Sequence, residues 1–273
     1  MDGLHRSTDP RDYQNVPQPI VVMSKRFDDG HTIPLHNHAR DQLLYAVGGI
    51  MRLQTMHHAW LVPPDGAICI PGGTDHTVTM FGDVEMRTLY IDVAAVRARP
   101  QPLCVIAVTS LMRELILALS KEPIAYTAGS RAAHIARMIE LEIEAARQLA
   151  LHVPLPADRR LQNMCAALLA DPSDGRTLEQ WSHQSGASAR TLARLFERDL
   201  GMGFNAWRQR VRFQSAVEAL SRGQPVSLVA HKHGYSSPSA FTAAFRRAMG
   251  MPPSALAVQG NRATPALRPD ESA

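Results

Sequence analysis

The sequence has few cysteines, no long apolar run and no apolar leader behind a basic start, and each lack excludes a class of protein. Its three cysteines, Cys69, Cys104 and Cys165, are odd in number and far apart. Neither a disulfide framework nor a zinc ribbon is therefore expected, and the thiols read as buried and free in apolar surroundings. No apolar stretch approaches the roughly 20 residues that a membrane-spanning helix needs, and no segment has the build of a signal peptide. The expectation is a cytoplasmic protein without a membrane partner. General bases and nucleophiles paired at motif spacing are also lacking, which weighs against an enzyme.

A chain of 273 residues that is 45% apolar suits two ordinary domains, each with a core. The net charge of +4 conceals an asymmetry. Residues 1–156 hold 14 Lys and Arg against 16 Asp and Glu, or −2, whereas 157–262 hold 14 against 7, or +7. A basic second half is the electrostatic footprint of a surface that meets phosphates.

Residues 1–19 lack periodicity and read as a flexible arm. From Ile20 to about Asp92, short apolar runs alternate with Gly, Pro and Asp, as in a small β-barrel or sandwich. His31, His57 and His58 read as surface or loop histidines. After a Pro- and Arg-marked connector at 97–102 comes an apolar strand, Leu103 to Val108. Leu111 to Lys121 then carries a one-sided apolar stripe, and a longer helix is expected from Ser130 to about His152, packed on the barrel or on a second copy. Pro154 and Pro156 mark a boundary near 156. This divides the chain into the arm, a barrel at 20–108, a helical linker or dimerisation segment at 109–156, an all-α domain at 157–260 and a disordered tail at 261–273.

Two stretches carry chemistry. The first is Gly30-His-Thr-Ile-Pro-Leu-His36-Asn-His38-Ala-Arg-Asp-Gln42, followed by Gly66-Ala-Ile-Cys-Ile-Pro71-Gly-Gly73-Thr-Asp-His76. It resembles the two motifs of the cupin superfamily, which implies that His36, His38, Gln42 and His76 converge inside the barrel on a divalent metal or an effector. In a strand, residues i and i+2 share a face, so His36 and His38 can both look inward. Gln42 stands where metal-binding cupins usually have Glu, and an amide is a neutral, weaker ligand. Lining a pocket without a metal remains the alternative.

The second stretch is a repeat. Ser185-Gly-Ala-Ser-Ala-Arg-Thr-Leu-Ala-Arg-Leu-Phe-Glu-Arg-Asp-Leu-Gly201 is echoed by Gly234-Tyr-Ser-Ser-Pro-Ser-Ala-Phe-Thr-Ala-Ala-Phe-Arg-Arg-Ala-Met-Gly250, with Phe204 to Arg222 as a joining helix. Each copy reads as a glycine turn and a capped basic helix, the grammar of a helix-turn-helix unit.

Together with Ala230-His-Lys-His-Gly, which precedes the second copy, and Met251-Pro-Pro-Ser254, which follows it, this region resembles the AraC/XylS family of bacterial transcription regulators. Ala255-Leu256-Ala257 departs from the aromatic and basic residues that the family often has there. The resemblance implies a cupin-type sensor followed by two helix-turn-helix units, each with a recognition helix in a major groove of promoter DNA. By position, Ala189, Arg190, Thr191, Ala193 and Arg194 face DNA from the first helix, with Arg190 and Arg194 on base edges. From the second come Ser237, Pro238, Ser239, Thr242 and Ala243, with Arg246 and Arg247 on phosphates. The implied function is a ligand-responsive activator or repressor of a neighbouring transporter or efflux gene. A small-molecule effector, RNA polymerase and a second copy of the chain are its candidate partners. A cupin oxygenase fused to a DNA-binding domain and a metal sensor are the competing readings.

Overall fold

Alternating apolar residues between Ile20 and Ile91 fold into strands whose ladders are all antiparallel. The computed structural model describes residues 7–64, 66–96, 103–149, 151–249 and 252–257. Strands β1 (Ile20–Phe27), β2 (Thr32–His36), β3 (Asp41–Ala46), β4 (Ile50–Gln54), β5 (His58–Val62), β6 (Gly66–Ile70), β7 (His76–Phe81), β8 (Val84–Ile91) and β9 (Cys104–Ala107) precede helices α1 (Ser110–Leu119) and α2 (Arg131–Ala145). Two short strands follow, β10 (Gln148–Leu149) and β11 (His152–Pro154). The remainder is helical: α3 (Arg159–Ala170), α4 (Leu178–Ser185), α5 (Ala189–Leu200), α6 (Phe204–Ser221), α7 (Val226–Lys232), α8 (Pro238–Met249) and α9 (Ser254–Ala257).

The strands form two sheets, one ordered β1-β8-β3-β6-β9-β10 and the other β11-β5-β4-β7-β2. Their inner faces share one core, in which Leu44, Ile68 and Ile70 meet Met51, Leu53, Leu61, Val78 and Met80. The β-rich first half and helical second half agree with the sequence reading. Among the described residues the ladders do not join into a single closed barrel. Helices α1 and α2 cover the other face of the six-stranded sheet, where Ile116, Ile135, Ile139 and Ile143 pack with Ile20, Val22, Leu43 and Tyr45. Met138 and Leu141 stay exposed on α2.

Four expectations are corrected. From Ser7 onward the arm is pinned rather than loose. Arg40 donates to the carbonyls of Gln14, Val16 and Gln18, and Tyr13 is fully buried against Tyr90, ring centroids 5.6 Å apart. The helix expected to reach His152 ends at Ala145, because the chain turns extended there and adds β10 beside β9 and β11 beside β5. His58 opens a strand and is half-buried, not a loop histidine, so burial lowers its pKa. Cys104 is only half-buried and lies opposite Cys69 in the β6–β9 ladder. Residues 1–6, the connector at 97–102 and the tail from 261 lie outside the described residues.

The helical part is built from local signals. Thr177 and Gln180 close a reciprocal capping box on α4. Gly186 (φ 66°) and Gly234 (φ 79°) supply the left-handed turns that end α4 and follow α7. Trp207 of α6 is buried among Phe196, Phe204 and the residues of α3, while Phe213 further along packs with Phe241 and Phe245 of α8. Thus α6 is the common wall of both helix pairs. It also meets the sheets: Trp207 Nε1 donates to Pro154 O at 2.8 Å and Gln214 Nε2 to Ala59 O at 3.3 Å, and Arg52 pairs with Glu218 at 3.0 Å. Among the described residues no helix is long and apolar enough to cross a membrane.

Candidate functional site

Pairing of β2 with β7 puts His36 directly opposite His76, just past a register shift in the ladder. Strand β2 ends at His36, so His38 does not belong to the strand as its spacing suggests, yet its ring still meets the other two. The centroids of His36 lie 4.9 Å from His38 and 4.3 Å from His76. One ligand atom from each of the three lies within 4.8 Å of the others.

The surroundings prepare these rings to accept. His36 Nδ1 lies 2.7 Å from Pro34 O, and His76 Nδ1 lies 2.8 Å from Thr74 O. A backbone carbonyl accepts only from an N–H, which fixes the tautomer and leaves each Nε2 with its lone pair. His76 Nε2 and Gln42 Oε1 are both buried without a hydrogen-bond partner. Burial and the neighbouring rings of His36 and His76 push His38 down to about 4, and burial also lowers His76. Three convergent imidazoles fit a divalent cation, whose ligands must be unprotonated. The structure therefore brings His36, His38 and His76 together. Gln42 enters from the other sheet, on β3, and hydrogen-bonds the Tyr90 phenol.

Sequence inspection missed Tyr13 near this site. His38 stacks edge-on to Tyr90 at 5.4 Å, and Tyr90 in turn lies under Tyr13 of the arm. No local pattern around Tyr13 marks it, because its partner is far along the chain.

The other expected residues lie on α5 and α8. Ser188 caps α5 by accepting from Thr191 N at 3.2 Å. Leu192, Leu195 and Phe196 face the core, which leaves Arg190 and Arg194 exposed one turn apart, with Ala189, Thr191 and Ala193 half-buried beside them. Neither arginine has a hydrogen bond or ion pair among the described residues. Other arginines of this half are engaged: Arg198 with Asp199 and Asp158, Arg176 with Asp174, and Arg208 and Arg212 with backbone carbonyls. On α8, Ser237 accepts from Ala240 N and so acts as a cap, while Pro238, Ser239 and Ala243 are exposed and Thr242 is half-buried. Arg246 and Arg247 are exposed at the far end, and Arg247 lines a cavity against the sheets rather than standing with the residues of the first turn.

Two helix pairs on one spine helix, the first with a capped and basic exposed face on α5, suit a DNA-binding regulator. A family model described as a helix-turn-helix domain matches residues 181–258. The HTH-type transcriptional regulator NimR of Escherichia coli (strain K12) is 31% identical over 225 residues, 82% of this chain and 82% of its own length. A putative AraC-like transcription regulator of Streptomyces lividans is 33% identical over 98 residues, 36% of this chain and 32% of its own. The solved structure of ToxT from Vibrio cholerae O395 covers 89% of this chain and 99% of its own at 13% identity, with a TM-score of 0.38. The chain belongs to the AraC/XylS family of transcription regulators, a family of DNA-binding proteins and not of enzymes.

Proposed function

We propose that this protein is a ligand-responsive regulator that reads promoter DNA through α5 and α8 and takes its signal in a cupin-like β-domain. The observation that carries the reading is the pair Arg190 and Arg194, exposed and unengaged on a capped helix while neighbouring arginines are tied down. Arginine forks onto the two acceptors of guanine, so these two supply base readout. The small faces of Ser237, Pro238, Ser239, Thr242 and Ala243 position the second helix and touch thymine methyls, with Arg246 on phosphate. Arg194→Ala should cost roughly 1–3 kcal/mol at one base pair of the site, and an equal loss on every sequence would refute base readout. The promoter of a neighbouring transporter or efflux gene is the fragment to use.

In the β-domain, His36, His38, His76 and the amide oxygen of Gln42 would hold a divalent metal. When bound, it would supply a Lewis-acidic anchor for an effector. Tyr13 and Tyr90 close that pocket from the arm side. Metal analysis of purified protein should find a substoichiometric to full divalent metal that His76→Ala abolishes. No metal, and no effect of chelator on DNA binding, would leave the pocket to a metal-free effector. A second copy of the chain, for which α1 and α2 leave Leu111, Met138 and Leu141 exposed, and RNA polymerase are further partners in this reading.

A further inference from the structure

Cys69 and Cys104 stand directly opposite each other in the antiparallel β6–β9 ladder, and both thiols are free. Residues opposite each other in such a ladder have Cα atoms about 4.5 or about 5.5 Å apart, according to the kind of pair, and their side chains leave the same face. Both spacings lie inside the roughly 4.4–6.8 Å that a disulfide spans. The face is the one that α1 and α2 cover: Cys69 is buried there with Ile116, Ile139 and Ile143, and Cys104 packs half-buried against the same cluster. The two thiols are not equivalent. Hydrogen bonding to Cys69 lowers the Cys104 pKa, whereas the same bond, together with burial, raises that of Cys69. Cys104 is thus both the more accessible thiol and the better thiolate. Cys165 has no such partner in register; it is buried in α3 among Leu161, Met164 and Leu168, and burial pushes its thiol up to about 12.

We propose that Cys104 and Cys69 form an oxidant-responsive dithiol, which a peroxide converts to a disulfide within one chain and a dithiol reductant restores. The Cys104 thiolate attacks one oxygen of hydrogen peroxide and the O–O bond breaks. The sulfur becomes a sulfenic acid, and the other oxygen leaves as hydroxide, which takes up the proton that Cys104 had released. Cys69 then attacks that sulfur: the S–S bond forms, and the sulfenic hydroxyl leaves with the Cys69 proton as water. Two thiols and one peroxide give one disulfide and two waters. Cys104 meets the oxidant because it is the less buried of the pair, and Cys69 resolves it because the ladder already holds its sulfur alongside. Bond formation is independent of the regulator reading above.

Peptide mass mapping of the full chain tests it. The reduced protein is treated with hydrogen peroxide, quenched with catalase, alkylated with N-ethylmaleimide and digested without reductant. The expected product is a linked pair of peptides carrying Cys69 and Cys104, with Cys165 alkylated and no covalent dimer on a non-reducing gel. Dithiothreitol added before alkylation should abolish the link. Cys69→Ala removes the resolving thiol and should leave Cys104 as a sulfenic acid that dimedone traps, an adduct largely absent from the unsubstituted chain. Linkage through Cys165, covalent dimers in place of the internal bond, or Cys104 carried on to sulfinic acid while Cys69 is still alkylated would overturn the proposal. Should Cys69→Ala fail to fold, the mapping of the unsubstituted chain decides alone.

Discussion

Arg194 and Arg247 are both exposed arginines on short helices of the same half, yet they face different neighbours, and their fates show how much one side chain's surroundings decide. Arg194 is exposed and has no hydrogen bond or ion pair among the described residues, whereas Arg247 stands beside a cavity. His233 makes the same point for titration. It is 6% exposed, its Nδ1 lies 2.8 Å from Val229 O, and burial holds its pKa below the ordinary 6.5. Between those two values the unfolded chain binds the extra proton, so stability is complete above the unfolded value and falls as pH drops through it. His58 and His152 act in the same direction, both chiefly through burial. The urea midpoint should therefore decline as pH falls below the ordinary histidine value of about 6.5, and His233→Gln should shallow that decline. An unchanged slope would assign the acid sensitivity to other groups.

At the scale of elements, α5 depends on its cap. Ser188→Ala removes the acceptor for Thr191 N and should cost about 1 kcal/mol, read as a lower urea midpoint. It should weaken DNA binding by one common factor on all sequences, in contrast to the base-pair-specific loss expected of Arg194→Ala. This half was legible because its signals are local. The Thr177 and Gln180 capping box, the left-handed glycines and the spacing of Leu192, Leu195 and Phe196 all lie within a few residues of the element they define. Strands β10 and β11 were not legible, and β2 only through the spacing of His36 and His38. Two are two and three residues long, and β2 is mostly exposed, so none carries an apolar period of its own.

At the scale of the molecule, α6 joins the two helix pairs to each other and to the sheets. Trp207 is its anchor, with a fully buried ring and an indole N–H on the carbonyl of Pro154, at the end of β11. Trp207→Phe keeps most of the apolar bulk but leaves that carbonyl unpartnered. The loss should be about 1–3 kcal/mol in chemical unfolding. A value near zero would mean that water replaces the indole and that the contact between the halves is looser. The Arg52 and Glu218 pair flanks the same contact, with burial raising the Glu218 pKa against the lowering effect of Arg52.

The residues by themselves determined the β-rich first half, the helical second half, the caps and turns around α5 and α8 and the histidine motif, because each rests on periodicity or on neighbours a few positions away. Only the tertiary structure decided which side chains meet across the chain. It seats Tyr13 over Tyr90 and strands β10 and β11 on the sheet edges, and sets Cys69 opposite Cys104. It also brings Arg210 and Arg247 to one cavity. Those meetings are fixed by strand pairing and by burial of the α6 face, and a linear pattern does not encode which distant partner will lie across a ladder or a packed helix.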